Sequence, residues 1–228
     1  MIGGTELKAH MKRQLKAFLL VMLCIVLVVP AMNVSAATQR QKAMAAYKKY
    51  LSQSKVYVMP KGTSYSSSHG KYTYSGTSAS QAQFCIANID GDGIPELIIS
   101  AKYAEWYFCT VLTYKNGKIS RIKYYKAADF IGYYPKTGIY LIKEAYKKAH
   151  YEKGDGYSDR YEKMSGTSAK TVMAKEVQPL GETAYFVDGK PCRIKAFASS
   201  RTQKTKGTSL VRAKFLKNTA ANRNQKLK

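Results

Sequence analysis

Two dipeptides that favour tight turns constrain the fold of this chain more than any other feature. They are Asn116-Gly117 and Asp188-Gly189. Each stands between two runs rich in β-branched and aromatic residues: 106–114 and 118–125 around the first, 184–187 and 190–197 around the second. Both dipeptides readily adopt the positive φ angles that a two-residue turn between antiparallel strands requires. The sequence therefore predicts two β-hairpins, which are units of antiparallel sheet.

Other segments supply further strands and two helices. Short apolar runs bounded by glycine or polar turns predict strands at 84–89, 97–101, 139–146, 156–164 and 171–177. A helix is predicted over 38–54, where Met44, Tyr47 and Leu51 recur at helical spacing. Ser209 is a suitable N-cap for a short helix with Leu210 on its inner face. The chain after this helix is expected to be irregular.

This order of elements predicts an α+β fold. An N-terminal helix precedes an antiparallel β-meander of roughly seven to nine short strands, and a short C-terminal helix follows. No Pro-rich or Ser-rich linker divides the chain. Residues 37–228 are therefore expected to form a single domain with a basic C-terminal tail.

Residues 1–36 have the pattern of a secretory signal peptide. Four basic side chains precede an apolar run of 13 residues, 17–29, and small residues end the segment at Ala36. A run of this length is too short to span a bilayer. Removing residues 1–36 takes four basic and one acidic side chain from a chain of net charge +24, which leaves +21. We therefore expect a secreted, strongly basic protein, extracellular and associated with the cell wall.

Three cysteines follow the predicted signal peptide: Cys85, Cys109 and Cys192. Cys85 and Cys109 each lie in an apolar, strand-like run, so a Cys85–Cys109 disulfide across neighbouring strands is one alternative in an oxidising compartment. Two buried free thiols are the other. An odd number of cysteines leaves at least one unpaired within the chain.

The segment 88–97 carries the most specific chemical pattern. It reads Asn-Ile-Asp-Gly-Asp-Gly-Ile-Pro-Glu-Leu, with oxygen-bearing side chains at alternate positions and glycines where a tight loop must turn. Calcium prefers oxygen ligands in such an arrangement. The predicted ligands are the side chains of Asn88, Asp90, Asp92 and Glu96 and the main-chain carbonyl of Ile94.

The flanking residues define the type of loop. A strand is predicted on each side, and Ile99 occupies the twelfth position, where helix-loop-helix sites carry a bidentate glutamate. Asn88 is neutral at the first ligand position, so calcium binding is expected to be weak. The alternative is a polar turn without metal, whose negative charge is offset by nearby lysines.

The segment 84–97 resembles the D-I-D-G-D-G-I-P-E-L signature, an EF-hand-like or integrin-repeat-like calcium loop, of a large group of secreted proteins from Gram-positive anaerobic bacteria. Most members of this group are functionally uncharacterised. In the group, a helix precedes the motif and a tyrosine-rich region with an aromatic-K-N-G-K hairpin follows, an order that residues 38–125 match. The ending 215–228 is similar to the group's C-terminus. The resemblance implies export and a calcium loop but no activity.

Patterns that indicate catalysis are weak. His69 and His150 are the histidines that follow residue 36, and neither has a patterned partner for metal or nucleophile chemistry. Asp155, Asp159 and Glu162 could serve glycoside chemistry as paired carboxylates, but scattered acids in strands and turns are commonly solvated. We predict that the protein is not an enzyme. A glycoside-processing hydrolase is the less favoured alternative.

The basic charge favours a binding module, because a strongly positive field attracts polyanions. The last 28 residues contain nine basic and no acidic side chains. Anionic cell-wall polymers or a membrane surface are the expected partners, since no nucleic-acid-binding module is recognisable. Nineteen tyrosines could instead stack on sugars in a glycan-binding module, or simply pack in the core. The predicted function is a secreted, non-catalytic, calcium-binding protein that acts as an extracellular interaction module.

Overall fold

The computed structural model describes residues 38–67, 70–103, 106–145, 156–179 and 181–228. The predicted signal peptide, residues 1–36, lies outside these ranges, as do His69, His150 and Asp155. Within the described ranges, no helix has the length and apolar character that crossing a membrane requires. Residues Arg40–Lys228 form one compact unit.

Strands dominate the structure, and three helices accompany them. The first eight strands are β1 (Lys55–Val56), β2 (Ser64–Ser67), β3 (Gly70–Thr73), β4 (Thr77–Ser78), β5 (Gln83–Ala87), β6 (Glu96–Tyr103), β7 (Trp106–Lys115) and β8 (Lys118–Lys126). The others are β9 (Ala128–Tyr134), β10 (Ile139–Ala145), β11 (Tyr157–Ser165), β12 (Ser168–Val177), β13 (Thr183–Val187), β14 (Lys190–Cys192), β15 (Val211–Arg212) and β16 (Leu216–Lys217). The helices are α1 (residues 38–51), α2 (Ile194–Lys204) and α3 (Ala220–Lys226), with a 3₁₀ turn at Ala79–Gln81.

Two antiparallel sheets contain most of these strands. The first has five strands in the order β16-β5-β6-β7-β8, and the second has seven in the order β14-β13-β12-β11-β10-β9-β15. Two short pairs, β1-β4 and β2-β3, complete the set in the described residues. The predicted β-rich antiparallel architecture with an N-terminal helix is confirmed. The predicted count of seven to nine strands is wrong, because strands of two to four residues are too short to show alternation and Gly132 interrupts the apolar pattern of β9.

The two sheets stack face to face, with one helix on each outer side. In β6, Leu97 packs with α1, whereas the next residue, Ile98, packs with the seven-stranded sheet. In β10, Ile142 faces the five-stranded sheet, whereas Leu141 lies in a cluster with Phe197 of α2. This is the two-residue alternation of a strand buried on both faces. The layers are therefore α1, the five-stranded sheet, the seven-stranded sheet and α2.

Both predicted hairpins are present. Asn116 and Gly117 connect β7 to β8 with φ angles of 52° and 77°. Asp188 and Gly189 connect β13 to β14 with φ angles of 49° and 78°. These left-handed conformations are the ones that Asn, Asp and Gly tolerate best, so local turn chemistry was a sound guide to strand pairing.

The prediction that the second hairpin continues to Phe197 is wrong. β14 ends at Cys192, and α2 begins at Ile194. Phe197 is the buried anchor of α2 and meets the ring of Tyr161 edge to face, whereas Ile194 is exposed. A helix with one anchor has no apolar stripe, so sequence periodicity did not reveal it.

The prediction of a short helix capped by Ser209, followed by an irregular end, is also wrong. This part of the chain forms β15 and β16, and α3 follows. Thr219 is the N-cap of α3, where its Oγ1 accepts a hydrogen bond from Asn222 N–H at 3.2 Å. Leu227, near the end of the chain, is buried in the core beneath α1. The predicted basic tail is therefore attached to the fold through β15, β16 and the buried Leu227, although most of its side chains are exposed.

Asn218 joins this C-terminal segment to α1. Its Nδ2 donates hydrogen bonds to the carbonyl oxygens of Leu51 at 2.8 Å and Ala79 at 3.0 Å. Its Oδ1 accepts a hydrogen bond from Arg223 Nη1 at 2.9 Å. The side chain is buried, so these bonds satisfy the amide and hold the two ends of the described chain together.

The cysteines do not lie as the disulfide alternative requires. Cys85, Cys109 and Cys192 are free thiols in the structure. Cys85 lies in β5 and Cys109 in β7, and β6 separates them. Strands two places apart are about 9.6 Å from each other, which exceeds the reach of a disulfide. The expectation that the two runs are neighbouring strands is wrong, and the arrangement favours two buried free thiols.

Candidate metal site

The predicted ligands lie in the loop that joins β5 to β6. Asn88 follows β5 directly, and Glu96 is the first residue of β6. Gly91 and Gly93 have φ angles of 82° and 87°, which only glycine adopts readily. The loop thus has a strand on each side, as the sequence predicts.

Side chains of the loop turn back onto the loop's own backbone. Asn88 Oδ1 accepts a hydrogen bond from Gly91 N–H at 3.1 Å. Asp90 Oδ1 accepts one from Asp92 N–H at 3.2 Å, and Asp92 Oδ1 accepts one from Ile94 N–H at 2.7 Å. Such bonds stabilise a tight turn. Asp90 and Asp92 each use one carboxylate oxygen for these hydrogen bonds. The second oxygen of each carboxylate is able to bind a cation.

Glu96 differs from the other acids of the loop because it is fully buried, with 0% exposure. Its Oε2 accepts a hydrogen bond from Ile89 N–H at 3.0 Å, and its Oε1 accepts one from the Thr113 hydroxyl at 3.3 Å. None of the ion pairs formed by the described residues includes Glu96. A buried carboxylate without a cationic partner is unfavourable unless a proton or a cation neutralises it.

The acids of the loop also affect each other's ionisation. Burial raises the pKa of Glu96 to about 8, with a further contribution from the negative charges of Asp90 and Asp92. The pKa of Asp92 is also raised, chiefly by burial and then by Asp90, although Lys115 acts in the opposite direction. Like charges at close range disfavour the ionised form. A cation placed among these three carboxylates would relieve the repulsion.

Two neighbouring elements hold the loop in place. The Tyr47 hydroxyl of α1 donates a hydrogen bond to the carbonyl oxygen of Pro95 at 3.0 Å. Gly138 N–H, in the turn between β9 and β10, donates one to the carbonyl oxygen of Ile89 at 3.0 Å. The loop is therefore supported by α1 on one side and by the seven-stranded sheet on the other.

Lysines near the loop support the alternative without metal. A Cβ atom added to Gly91 would lie 2.8 Å from Lys136 Cγ, so the stem of this lysine packs against the turn. Lys115 lowers the pKa of Asp92. These positive charges offset those of the exposed aspartates, but the buried Glu96 forms no ion pair with either lysine in the described structure.

The donor set fits calcium in its chemistry, although its side chains do not yet converge. All five predicted ligands offer oxygen atoms, and three of these ligands are carboxylates, as a hard cation prefers. Across the described ranges, no three His, Cys, Asp or Glu side chains gather into a group that could hold a metal ion. Asp90 and Asp92 each have one oxygen bonded to the backbone of the loop, so their second oxygens would have to meet Glu96 at one ion.

Two of the three carboxylates considered for glycoside chemistry, Asp159 and Glu162, lie within the described residues and are not brought together. Asp159 lies two residues before Tyr161 and so shares the face of β11 that packs on α2. Glu162 lies on the opposite face, between the sheets, where it pairs with Lys123 at 3.0 Å and Arg160 at 3.4 Å. Two carboxylates on opposite faces of one strand cannot flank the same sugar bond.

Exposed tyrosines do not form a row either. Among the described residues, the tyrosines with large exposed fractions are Tyr72, Tyr107 and Tyr124. Tyr124 pairs with Thr110 across β7 and β8, so these two residues share a face. Tyr107 precedes Thr110 by three positions and therefore points to the other face. Most other described tyrosines near the sheets are buried or half-buried, as expected if they pack in the core instead of stacking on sugars.

The sequence did not indicate that two further residues contact the site. Thr113 lies near the end of β7, and Tyr47 lies on the buried face of α1. Their contacts with Glu96 and Pro95 span 17 and 48 positions of the chain. The pairing of β7 with β6 places Thr113 beside Glu96, and the packing of α1 on the five-stranded sheet brings Tyr47 to the loop.

No family model, curated protein or solved structure matches this chain. The resemblance of segment 84–97 to the signature of exported bacterial proteins therefore stays a prediction. A sandwich of antiparallel sheets serves many unrelated activities, so the fold by itself indicates none.

Proposed function

We propose that this protein is an exported, non-catalytic interaction module that binds calcium in the loop 88–96 and adheres to anionic polymers outside the cell. The observation that carries the proposal is the burial of Glu96 beside Asp90 and Asp92 without an ion pair to any described residue. Calcium would compensate this negative charge. The resemblance to exported proteins with the same loop signature points in the same direction.

The ion would be held by the side chains of Asn88, Asp90, Asp92 and Glu96 and by the carbonyl of Ile94. Its role would be structural, because charge compensation at the β5–β6 loop stabilises the folded state over the unfolded chain. One neutral side-chain ligand and an exposed loop favour weak binding, with a dissociation constant on the order of 10⁻⁴ to 10⁻³ M. Such values suit an extracellular module.

The distribution of charge supports adhesion to polyanions. The described part of α1 contains Arg40, Lys42, Lys48 and Lys49 on exposed positions and no acidic residue. α2 and α3 likewise carry basic and no acidic side chains. Because α1 and α2 cover opposite outer faces of the sandwich, both faces present positive charge. A surface of this kind attracts polyphosphates and polycarboxylates with a strong dependence on salt.

Thermal unfolding with and without calcium tests the loop. At 5 mM calcium, the expected affinity stabilises the fold by about 1–2 kcal/mol, which raises the midpoint by about 2–8 °C. The double variant Asp90→Asn/Asp92→Asn keeps oxygen atoms that can accept the backbone hydrogen bonds, and it should lose this shift. Asp188→Asn, in the hairpin paired with Lys204, is the matched control and should keep it. If calcium does not shift the midpoint of the unaltered protein, the alternative of a polar turn without metal is favoured.

Retention on immobilised teichoic acid tests the surface. The variant Lys48→Glu/Lys49→Glu changes exposed side chains of α1 and should elute at clearly lower salt than the unaltered protein. An uncharged polysaccharide resin is the matched control and should retain neither protein. Retention on the uncharged resin that persists at 1 M salt, where screening is nearly complete, would favour the glycan-binding alternative instead.

A further inference from the structure

One segment bridges the edges of the two sheets. Residues 211–217, which we call the strap, begin with β15 on β9 and end with β16 on β5. Ala213 N–H donates a hydrogen bond to the carbonyl oxygen of Ile131 at 3.0 Å. The strap approaches β9 so closely that a Cβ atom at Gly132 would overlap the carbonyl oxygen of Val211. The strap therefore closes one side of the sandwich.

A cavity of about 410 Å³ lies between the strap and the edge strands β5 and β9. Its interior wall includes Cys85, Phe130 and Tyr133, which belong to or pack against the core between the sheets. Ala213 of the strap contributes another apolar wall. This volume is in the range of small-molecule sites, and the wall is of the apolar and aromatic kind that such sites share.

Positive charge surrounds the opening of this cavity. Arg212 and Lys214 of the strap and Lys226 of α3 line the cavity and are exposed, so they lie where it meets solvent. None of the described residues that line it is acidic. An apolar interior with cations at its mouth complements a ligand that has an apolar tail and an anionic head group.

We propose that this cavity binds a single-chain fatty acid, with the alkyl chain between the sheets and the carboxylate beside Arg212 and Lys214. None of the lining residues belongs to the loop 88–96, so the inference goes beyond the proposed function and does not depend on it. The apolar wall of the cavity suits the alkyl chain, and the cations at its opening suit the carboxylate head group. A neutral alcohol of the same length satisfies only the first requirement.

Calorimetric titration with octanoate, decanoate and dodecanoate, each below its micelle concentration, tests the proposal. Every methylene that enters the cavity should raise the affinity about fourfold, until the cavity is full. Decanol should bind at least about tenfold more weakly than decanoate, because it lacks the charge that the cations attract. Equal affinities across the three chain lengths would overturn the proposal, since surface attraction alone does not depend on burial.

Variants separate the cavity from general basic charge. Ala213→Trp fills the cavity and should reduce dodecanoate affinity at least about tenfold. Arg212→Ala/Lys214→Ala changes exposed side chains and should reduce it by about three- to tenfold. Lys190→Ala/Lys195→Ala is the matched control, since it removes the same charge near β14, at the opposite edge of the seven-stranded sheet.

If Ala213→Trp does not fold, the comparison of the two charge variants still tests the proposal, because both variants keep the apolar wall of the cavity. Equal losses of dodecanoate affinity in these two variants would show that dodecanoate binding depends only on net charge, and this result would overturn the proposal. Binding to phosphatidylglycerol vesicles without binding to dodecanoate would also overturn it, in favour of a membrane-surface interaction.

Discussion

Replacement of Glu96 by glutamine probes the buried carboxylate directly. Glutamine has nearly the same shape and keeps an oxygen that can accept the hydrogen bond from Ile89 N–H. The Thr113 hydroxyl, which donates to Glu96 Oε1 at 3.3 Å, can rotate and accept from the new amide group instead. The variant therefore removes the charge while leaving most of the packing unchanged.

The expected effect follows from the pKa of Glu96, which burial raises from 4.5 to about 8 in the folded protein. The folded state holds this proton more tightly than the unfolded chain does. The stability that this tighter proton binding gives the folded state is therefore fully present below pH 4.5 and is lost as the pH rises toward 8. One pKa unit corresponds to about 1.4 kcal/mol, so the loss is about 3 kcal/mol at pH 7 and about 5 kcal/mol above the folded-state pKa.

Urea denaturation in the presence of a calcium chelator measures this difference. Glu96→Gln should exceed the unaltered protein in free energy of unfolding by about 3 kcal/mol at pH 7, and the two should agree within about 1 kcal/mol at pH 4.5. Calcium should reduce this difference in free energy of unfolding at pH 7, because it stabilises only the unaltered protein. A variant that is less stable at pH 7 in chelator would refute the reasoning, because Glu96 would then have a favourable ionic partner.

Glu162→Gln is the matched control for this experiment. Glu162 is as deeply buried as Glu96, but it forms ion pairs with Lys123 and Arg160 and accepts a hydrogen bond from Thr171 at 2.8 Å. Removing its charge should lower the free energy of unfolding by about 1–3 kcal/mol. At pH 7, replacing glutamate by glutamine is thus predicted to raise the free energy of unfolding at position 96 and to lower it at position 162.

Two further predictions concern the C-terminal part of the chain. Asn218→Ala removes two buried hydrogen bonds, to the carbonyl oxygens of Leu51 and Ala79, and should lower the free energy of unfolding by about 2 kcal/mol, measured by urea denaturation. Asn222→Ala, in the more exposed α3, should lower it by under about 1 kcal/mol. Gly132→Ala forces a methyl group against the carbonyl of Val211, so limited trypsin digestion should cleave faster after Arg212 than in the unaltered protein. Unchanged stability or an unchanged cleavage rate would show that the contact concerned is not needed.

The parts of the fold that could be predicted depend on residues that are close in sequence. Asn116-Gly117 favours a two-residue turn whatever surrounds it, and the hairpin β7–β8 is present. The spacing of Met44, Tyr47 and Leu51 requires a helix to bury all three, and α1 does so. The oxygen-rich loop after β5 was also identified from its own residues.

The parts that could not be predicted depend on contacts between distant residues. Phe197 is the one buried side chain of α2, so the sequence of this helix shows no apolar stripe. β15 and β16 have two residues each and exist because the strap reaches two sheet edges. The burial of Glu96 was equally hidden, since it requires Thr113 in β7 beside the loop.

The amino-acid sequence by itself determined the tight turns, the amphipathic first helix and the set of oxygen ligands, because each depends on the conformational preferences of a few adjacent residues. Only the tertiary structure decided which sheet each strand joins, how the strap closes the sandwich and that Glu96 lies in the interior, where no described residue forms an ion pair with it. These features arise from packing between residues far apart in the chain, as between Asn218 and Leu51. Local preferences cannot specify such pairs, because the free energy of burial is gained only when the layers assemble.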